Sequence, residues 1–107
     1  MRGRQKSNFR SPFALGFEHG AEAVEDASVV EMDARVPEYR VGYVVGRCYS
    51  EAVRQTSLLA GVVVAGELGA KFGVDKSALV AALRLSHDHE LVIDEKYADD
   101  DSADRRK

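Results

Sequence analysis

The sequence predicts a mainly α fold, a small bundle of about four helices with room for one short two-stranded β element. Apolar residues recur at steps of three and four through most of the chain, and prolines, glycines and capping residues stand where helices should begin and end. Nine glycines against two prolines point to helices packed closely through small residues. At 107 residues, 45% hydrophobic and 31% charged, the chain has the material for one domain and not for two.

Residues 1–10 carry Arg2, Arg4, Lys6 and Arg10 with no acidic residue and read as a flexible basic arm. Ser11-Pro12 supplies an N-cap followed by proline at the first helical position, which starts a helix reaching about Glu25. Phe13, Leu15, Phe17, Ala21 and Val24 are available for burial on it, and Gly16 and Gly20 lie four apart on one face. Between Asp26 and Arg35 the β-branched Val29 and Val30 suggest a short extended segment or a loop. Pro37 restarts a helix that runs to about Gln55, with Glu38 suited to the positive end of its dipole.

That helix repeats the device of the first. Phe13 to Gly20 aligns with Tyr39 to Gly46, keeping aromatic, aliphatic, glycine, aromatic and glycine in register. Two such glycine-grooved helices can pack antiparallel at short distance. Thr56-Ser57 then marks a break, because both side chains compete for backbone hydrogen bonds and Ser57 can cap the next helix.

From Leu58 the apolar positions Leu58, Val62, Ala65, Leu68 and Phe72 fall on one helical face. Gly73 stands where a helix ends in the left-handed conformation, Val74 can plug the corner, and Asp75 can cap a second helix running from Lys76 to about Leu85. Leu79, Ala82 and Leu83 form the inner side of that second helix. Leu91 to Ile93 reads as a short strand that would pair with Val29 to Met32. From Tyr97 onward, Asp99 to Asp101 and the residues to Lys107 read as a polar tail. The expected organisation is therefore an arm at 1–10, one helical domain at 11–94 and a disordered charged tail at 95–107.

Chemistry-bearing residues are few. The single cysteine, Cys48, excludes an internal disulfide and fits a reducing compartment as a small apolar residue in a helix. His87, Asp88, His89 and Glu90 are the one local grouping with metal-binding side chains, but two histidines are too few for a structural zinc site, so neither metal nor cofactor is expected. No nucleophile–base pair or phosphate-cradling loop is present, since Gly66 and Gly69 fall inside a helix, and no enzyme activity is expected. No apolar core follows the basic N-terminus as a signal peptide requires, and the apolar run from Leu58 to Gly66 is about half a bilayer span. The expected setting is the cytoplasm, with no membrane partner.

The residues Glu67 to Arg84 as a group resemble the helix-turn-helix of many bacterial and phage DNA-binding proteins. That pattern takes a small residue in the first helix, a glycine four positions on, an aliphatic residue after it and aliphatic residues inside the second helix; Gly69, Gly73, Val74, Leu79 and Leu83 occupy those places. The resemblance implies a small regulator of transcription that reads DNA through its second helix, as a dimer, because one unit buries too little DNA surface for high specificity. It assigns Lys76, Ser77 and Arg84 to bases or phosphates, and Arg2, Arg4, Lys6 and Lys71 to further phosphate contacts.

A net charge of −3, from 15 basic and 18 acidic residues, gives no overall field favouring nucleic acid, so such binding would rest on a local patch. The outward positions Val80 and Ala81 suit an alternative, a non-enzymatic helical module for self-assembly or for binding a protein partner, which in a phage-encoded chain would be a host protein. The glycine–aromatic pairs Gly16-Phe17 with Gly20 and Gly42-Tyr43 are in turn similar to the ribosome modulation factor group, which implies association with ribosomal RNA and protein.

Overall fold

The computed structural model describes residues 10–105, with side chains through Ala98, so Arg2, Arg4 and Lys6 lie outside the described residues. Six helices follow one another: α1 (Pro12–Glu22), α2 (Val29–Asp33), α3 (Pro37–Gln55), α4 (Leu58–Lys71), α5 (Lys76–Leu83) and α6 (His87–Arg105). No strand occurs among the described residues. The fold is the mainly α bundle that the sequence predicts, without its β element.

Most boundaries have a local cause. Ser11 caps α1 by accepting from the Ala14 N–H, with Pro12 at the first position. Ser57 caps α4 through the Ala60 N–H, and Asp75 caps α5 through the Ala78 N–H at 3.0 Å. The break between α3 and α4 is made by Thr56, whose φ of 52° is left-handed. A β-branched residue pays for that conformation, and nothing there requires a side chain. Thr56→Gly is therefore expected to raise stability by about 1 kcal/mol, read as a higher midpoint in chemical denaturation.

Three segments differ from the expectation. Residues 29–33 form a helical turn instead of an extended one, because Ser28 and Glu31 make a complete capping box: the Ser28 hydroxyl accepts from the Glu31 N–H, and the Glu31 carboxylate accepts from the Ser28 N–H. Residues 91–93, expected as a strand, lie within α6, where Ile93 is fully buried in the common core. α6 also continues through residues 95–105, the stretch expected to be a disordered tail, and its Tyr97 packs against the core.

The core is organised on α3. Tyr39, Val41, Tyr43, Val44 and Cys48 are buried on it, with α1 on one side and α4 on the other. Val62, Ala65, Leu68 and Phe72 of α4 complete the centre, and the Tyr43 and Phe72 rings meet edge to face at 6.1 Å. Burial pushes the Cys48 thiol up to about 11, so it behaves as an inert apolar side chain.

The α1–α3 contact is reciprocal. A Cβ at Gly16 would collide with the Tyr39 carbonyl and lie 2.9 Å from the Tyr43 nitrogen; one at Gly42 would collide with the Phe13 carbonyl and lie 3.0 Å from the Phe17 nitrogen. Gly20 meets Tyr43 and Arg47 in the same way that Gly46 meets Phe17 and Ala21. Partner numbers rise together along both helices, so the pair is parallel and not antiparallel as the glycine faces alone suggested. The intervening chain must run back the length of α1, and Arg47 pairs with Asp26 of that connection at 2.7 Å while Tyr43 Oη accepts from the Ala27 N–H.

Near the far end of α3, the buried Glu51 carboxylate accepts two bonds from Arg54 at 2.6 Å and one from Gln55. The Arg54 bonds, then the Gln55 bond, hold its pKa below the usual carboxylate value. A depressed folded pKa gives stability that is present at neutral pH and lost as pH falls through the folded value. Glu51→Gln should accordingly flatten the loss of stability below about pH 4, measured by denaturation across the acid range.

Candidate nucleic-acid interface

α4, the turn Phe72–Asp75 and α5 make the corner that would present residues to a nucleic acid. The turn closes through three backbone bonds: Phe72 N–H to the Leu68 carbonyl at 2.9 Å, Gly73 N–H to the Ala70 carbonyl at 3.3 Å and Val74 N–H to the Gly69 carbonyl at 2.8 Å. Gly73 has φ +67°, and the space around an added Cβ is open, so the backbone conformation and not crowding selects glycine there. Val74 is buried and Leu79 has no exposure, so both fill the angle between the helices.

Gly69 serves the approach of α5: a Cβ there would lie 2.8 Å from Leu79 Cδ2. It also admits a residue that sequence reasoning placed outside the domain. The Tyr97 ring from α6 lies against Gly69, and its hydroxyl donates to the Val74 carbonyl at 2.8 Å. Burial, with a smaller contribution from the Asp75 charge, pushes the Tyr97 pKa up, so the hydroxyl keeps its proton and remains a donor. The signal was present in the spacing Ile93, Lys96, Tyr97, which continues a helical face past Leu91.

The structure distributes the sequence-predicted residues unevenly. Lys76 and Ser77 stand side by side and exposed at the start of α5. Arg84 is exposed at the opposite end, eight residues on and about 12 Å along the axis, in the left-handed conformation with φ 54°. Lys71 is exposed on the last turn of α4, with its ammonium 5.7 Å from the Phe72 ring centre. Of the outward apolar positions, Ala81 is exposed and Val80 is half-buried.

Acidic side chains share this edge. Lys76 Nζ is 2.9 Å from Asp94 of α6, with both side chains about half exposed, and Lys96 reaches Glu67 at 3.8 Å. An exposed pair of this kind is worth at most about 1 kcal/mol, so Lys76 can be released to a phosphate at small cost. Sequence reading had not brought Asp94 to Lys76.

The histidines of residues 87–90 do not converge. The segment is helical, which turns His87 and His89 to different sides, and His89 Nδ1 instead meets Ser86 Oγ at 3.3 Å. Among the described residues no group of three or more His, Cys, Asp or Glu side chains is placed to hold a metal ion. Likewise, none of the described helices is long and apolar enough to cross a membrane. His19 is exposed and its Nδ1 lies 2.6 Å from Tyr39 Oη.

Comparison with known proteins adds one relationship. The family model described as protein of unknown function (DUF2623) matches residues 9–96, from just before α1 into α6. The chain belongs to this family. Its matched region includes the whole α4–α5 corner and ends one residue before Tyr97. Neither curated proteins nor solved structures give a match to the chain.

Proposed function

We propose that this DUF2623 member is a small, non-enzymatic DNA-binding regulatory protein that reads DNA with α5. The observation that carries the reading is the division of α5 itself: Leu79 is sealed in the core while Lys76, Ser77 and Arg84 are left in solvent beyond a left-handed glycine turn. A helix seated by its inner face, with Lys76 and Ser77 exposed at its start and Arg84 just past its end on either side of the exposed Ala81, can enter a major groove, with Lys71 placed for the flanking phosphate.

The affinity should be modest and strongly salt-dependent, since few cations face the nucleic acid and Asp94 competes for one of them. In gel-shift titrations with mixed genomic DNA, the intact chain should bind at low salt and release steeply as salt rises. Lys76→Ala with Arg84→Ala should weaken binding by about tenfold or more. Equal mobility of free and mixed DNA for every version would reject DNA reading.

A second reading is favoured by a different observation. Tyr49, Val53, Leu58 and Leu59, at the junction of α3 and α4, are each more than half exposed. Large apolar side chains left in solvent near one another are the mark of a protein-binding or self-assembling helical module. Association through such a face should barely respond to salt, which separates it from the first reading.

A further inference from the structure

We propose that α1 is an exchangeable segment, and that two copies of this chain pair by each placing its α1 in the glycine groove of the other's α3. The proposal rests on the α1–α3 geometry and does not depend on DNA binding.

The α3 groove, marked by Gly42 and Gly46, accepts the backbone carbonyls of Phe13 and Phe17; the α1 groove, marked by Gly16 and Gly20, accepts those of Tyr39 and Tyr43. Exchange of the two helices maps one set of contacts onto the other, so the interface has a local two-fold character built from the repeated sequence. The segment that fits the α3 groove is therefore specified within the structure, and every copy of the chain carries it. A copy's α1 would make the same contacts as the resident one, leaving no enthalpic preference between a closed monomer and an exchanged pair.

Two further observations make the exchange accessible. Among the described residues, α3 is the one helix against which α1 packs extensively, so its release disturbs no other contact layer. The connection back to α3 is long and mostly exposed, with Val30 79% and Val36 51% exposed; α2 within it is held by its own capping box, by the buried Met32 and by Arg35 over the Tyr39 ring at 4.4 Å. A hinge at residues 34–36, between α2 and α3, can straighten and carry α1 and α2 to a second copy, with the Asp26–Arg47 pair re-formed across the dimer. Balance between the two forms is then set by chain concentration and by the connection, not by the quality of the interface.

Complementation tests this directly. Gly20→Leu spoils the α1 face and leaves the α3 groove intact; Gly46→Leu does the reverse. Each variant alone should melt about 10 °C or more below the parent chain, because the added side chain meets backbone. Unfolded together in denaturant and refolded as a 1:1 mixture, they should form a heterodimer in which one intact α1 occupies one intact α3, with a thermal midpoint above that of either variant. The parent chain refolded at high concentration should in parallel yield dimer by light scattering. A refolded mixture that behaves as the sum of its two components, with no heterodimer, overturns the proposal even if each variant is poorly folded alone.

Discussion

Gly42→Ala should destabilise the protein by about 3 kcal/mol or more, although alanine is the better helix former by about 1 kcal/mol. The reason is the object the new methyl meets. At Gly42 it would strike the Phe13 carbonyl and crowd the Phe17 nitrogen, both backbone atoms of α1 that no rotamer change can move. Relief requires the two helices to separate, which breaks the matching contacts at Gly16, Gly20 and Gly46 together. Gly73→Ala is the control, because nothing lies near its Cβ and the cost is only that of a left-handed alanine, about 1 kcal/mol. Urea or guanidinium denaturation of the two variants measures the contrast. A Gly42→Ala chain as stable as the parent would mean that the α1 and α3 backbones do not touch at this glycine.

Phe72→Ala should cost about 3–5 kcal/mol, the range for emptying a buried aromatic site. Phe72 is 1% exposed, sits at the close of α4, and packs its ring against Tyr43 of α3. It thus joins the central helix to the corner that holds α5. Loss of the ring should lower the thermal midpoint by about 10 °C or more and loosen α5 at the same time. Hydrogen exchange of the α5 amides in the variant, compared with those of α1, checks the second effect. A uniform change in both helices would show that Phe72 supports the fold generally and the corner no more than the rest.

How much of the fold and of the candidate site is legible in the sequence depends on whether the cause is local. Ser11, Ser57, Asp75 and Gly73 act within a few residues, and the helix ends they set were legible. Ser28 and Glu31 also act locally, but the β-branched pair Val29 and Val30 pointed the other way, and the capping box prevailed. Leu91 to Ile93 looked like a strand because a short apolar run beside acidic residues has no decisive period; α6 runs through it and turns Ile93 alone of the three into the core. Glycine faces showed that α1 and α3 approach closely, yet clearance has no direction, so the parallel sense was hidden. At the candidate site, the exposure of Lys76, Ser77 and Arg84 followed from the phase set by Leu79. Asp94 beside Lys76 and Tyr97 under Val74 depended on where α6 runs, which no neighbouring residues declare.

The parallel setting of α1 on α3 also orders events in time. The α3–α4 hairpin and the α4–α5 corner join neighbours in the chain and close short loops, whereas α1 can find its seat only after the intervening residues have doubled back along it. α1, made before the other described helices, is thus the last of them to be placed. Until α3 has assembled, its paired aromatics have nowhere to go, and a growing chain crowded among its siblings would meet a neighbour's vacant groove as readily as its own.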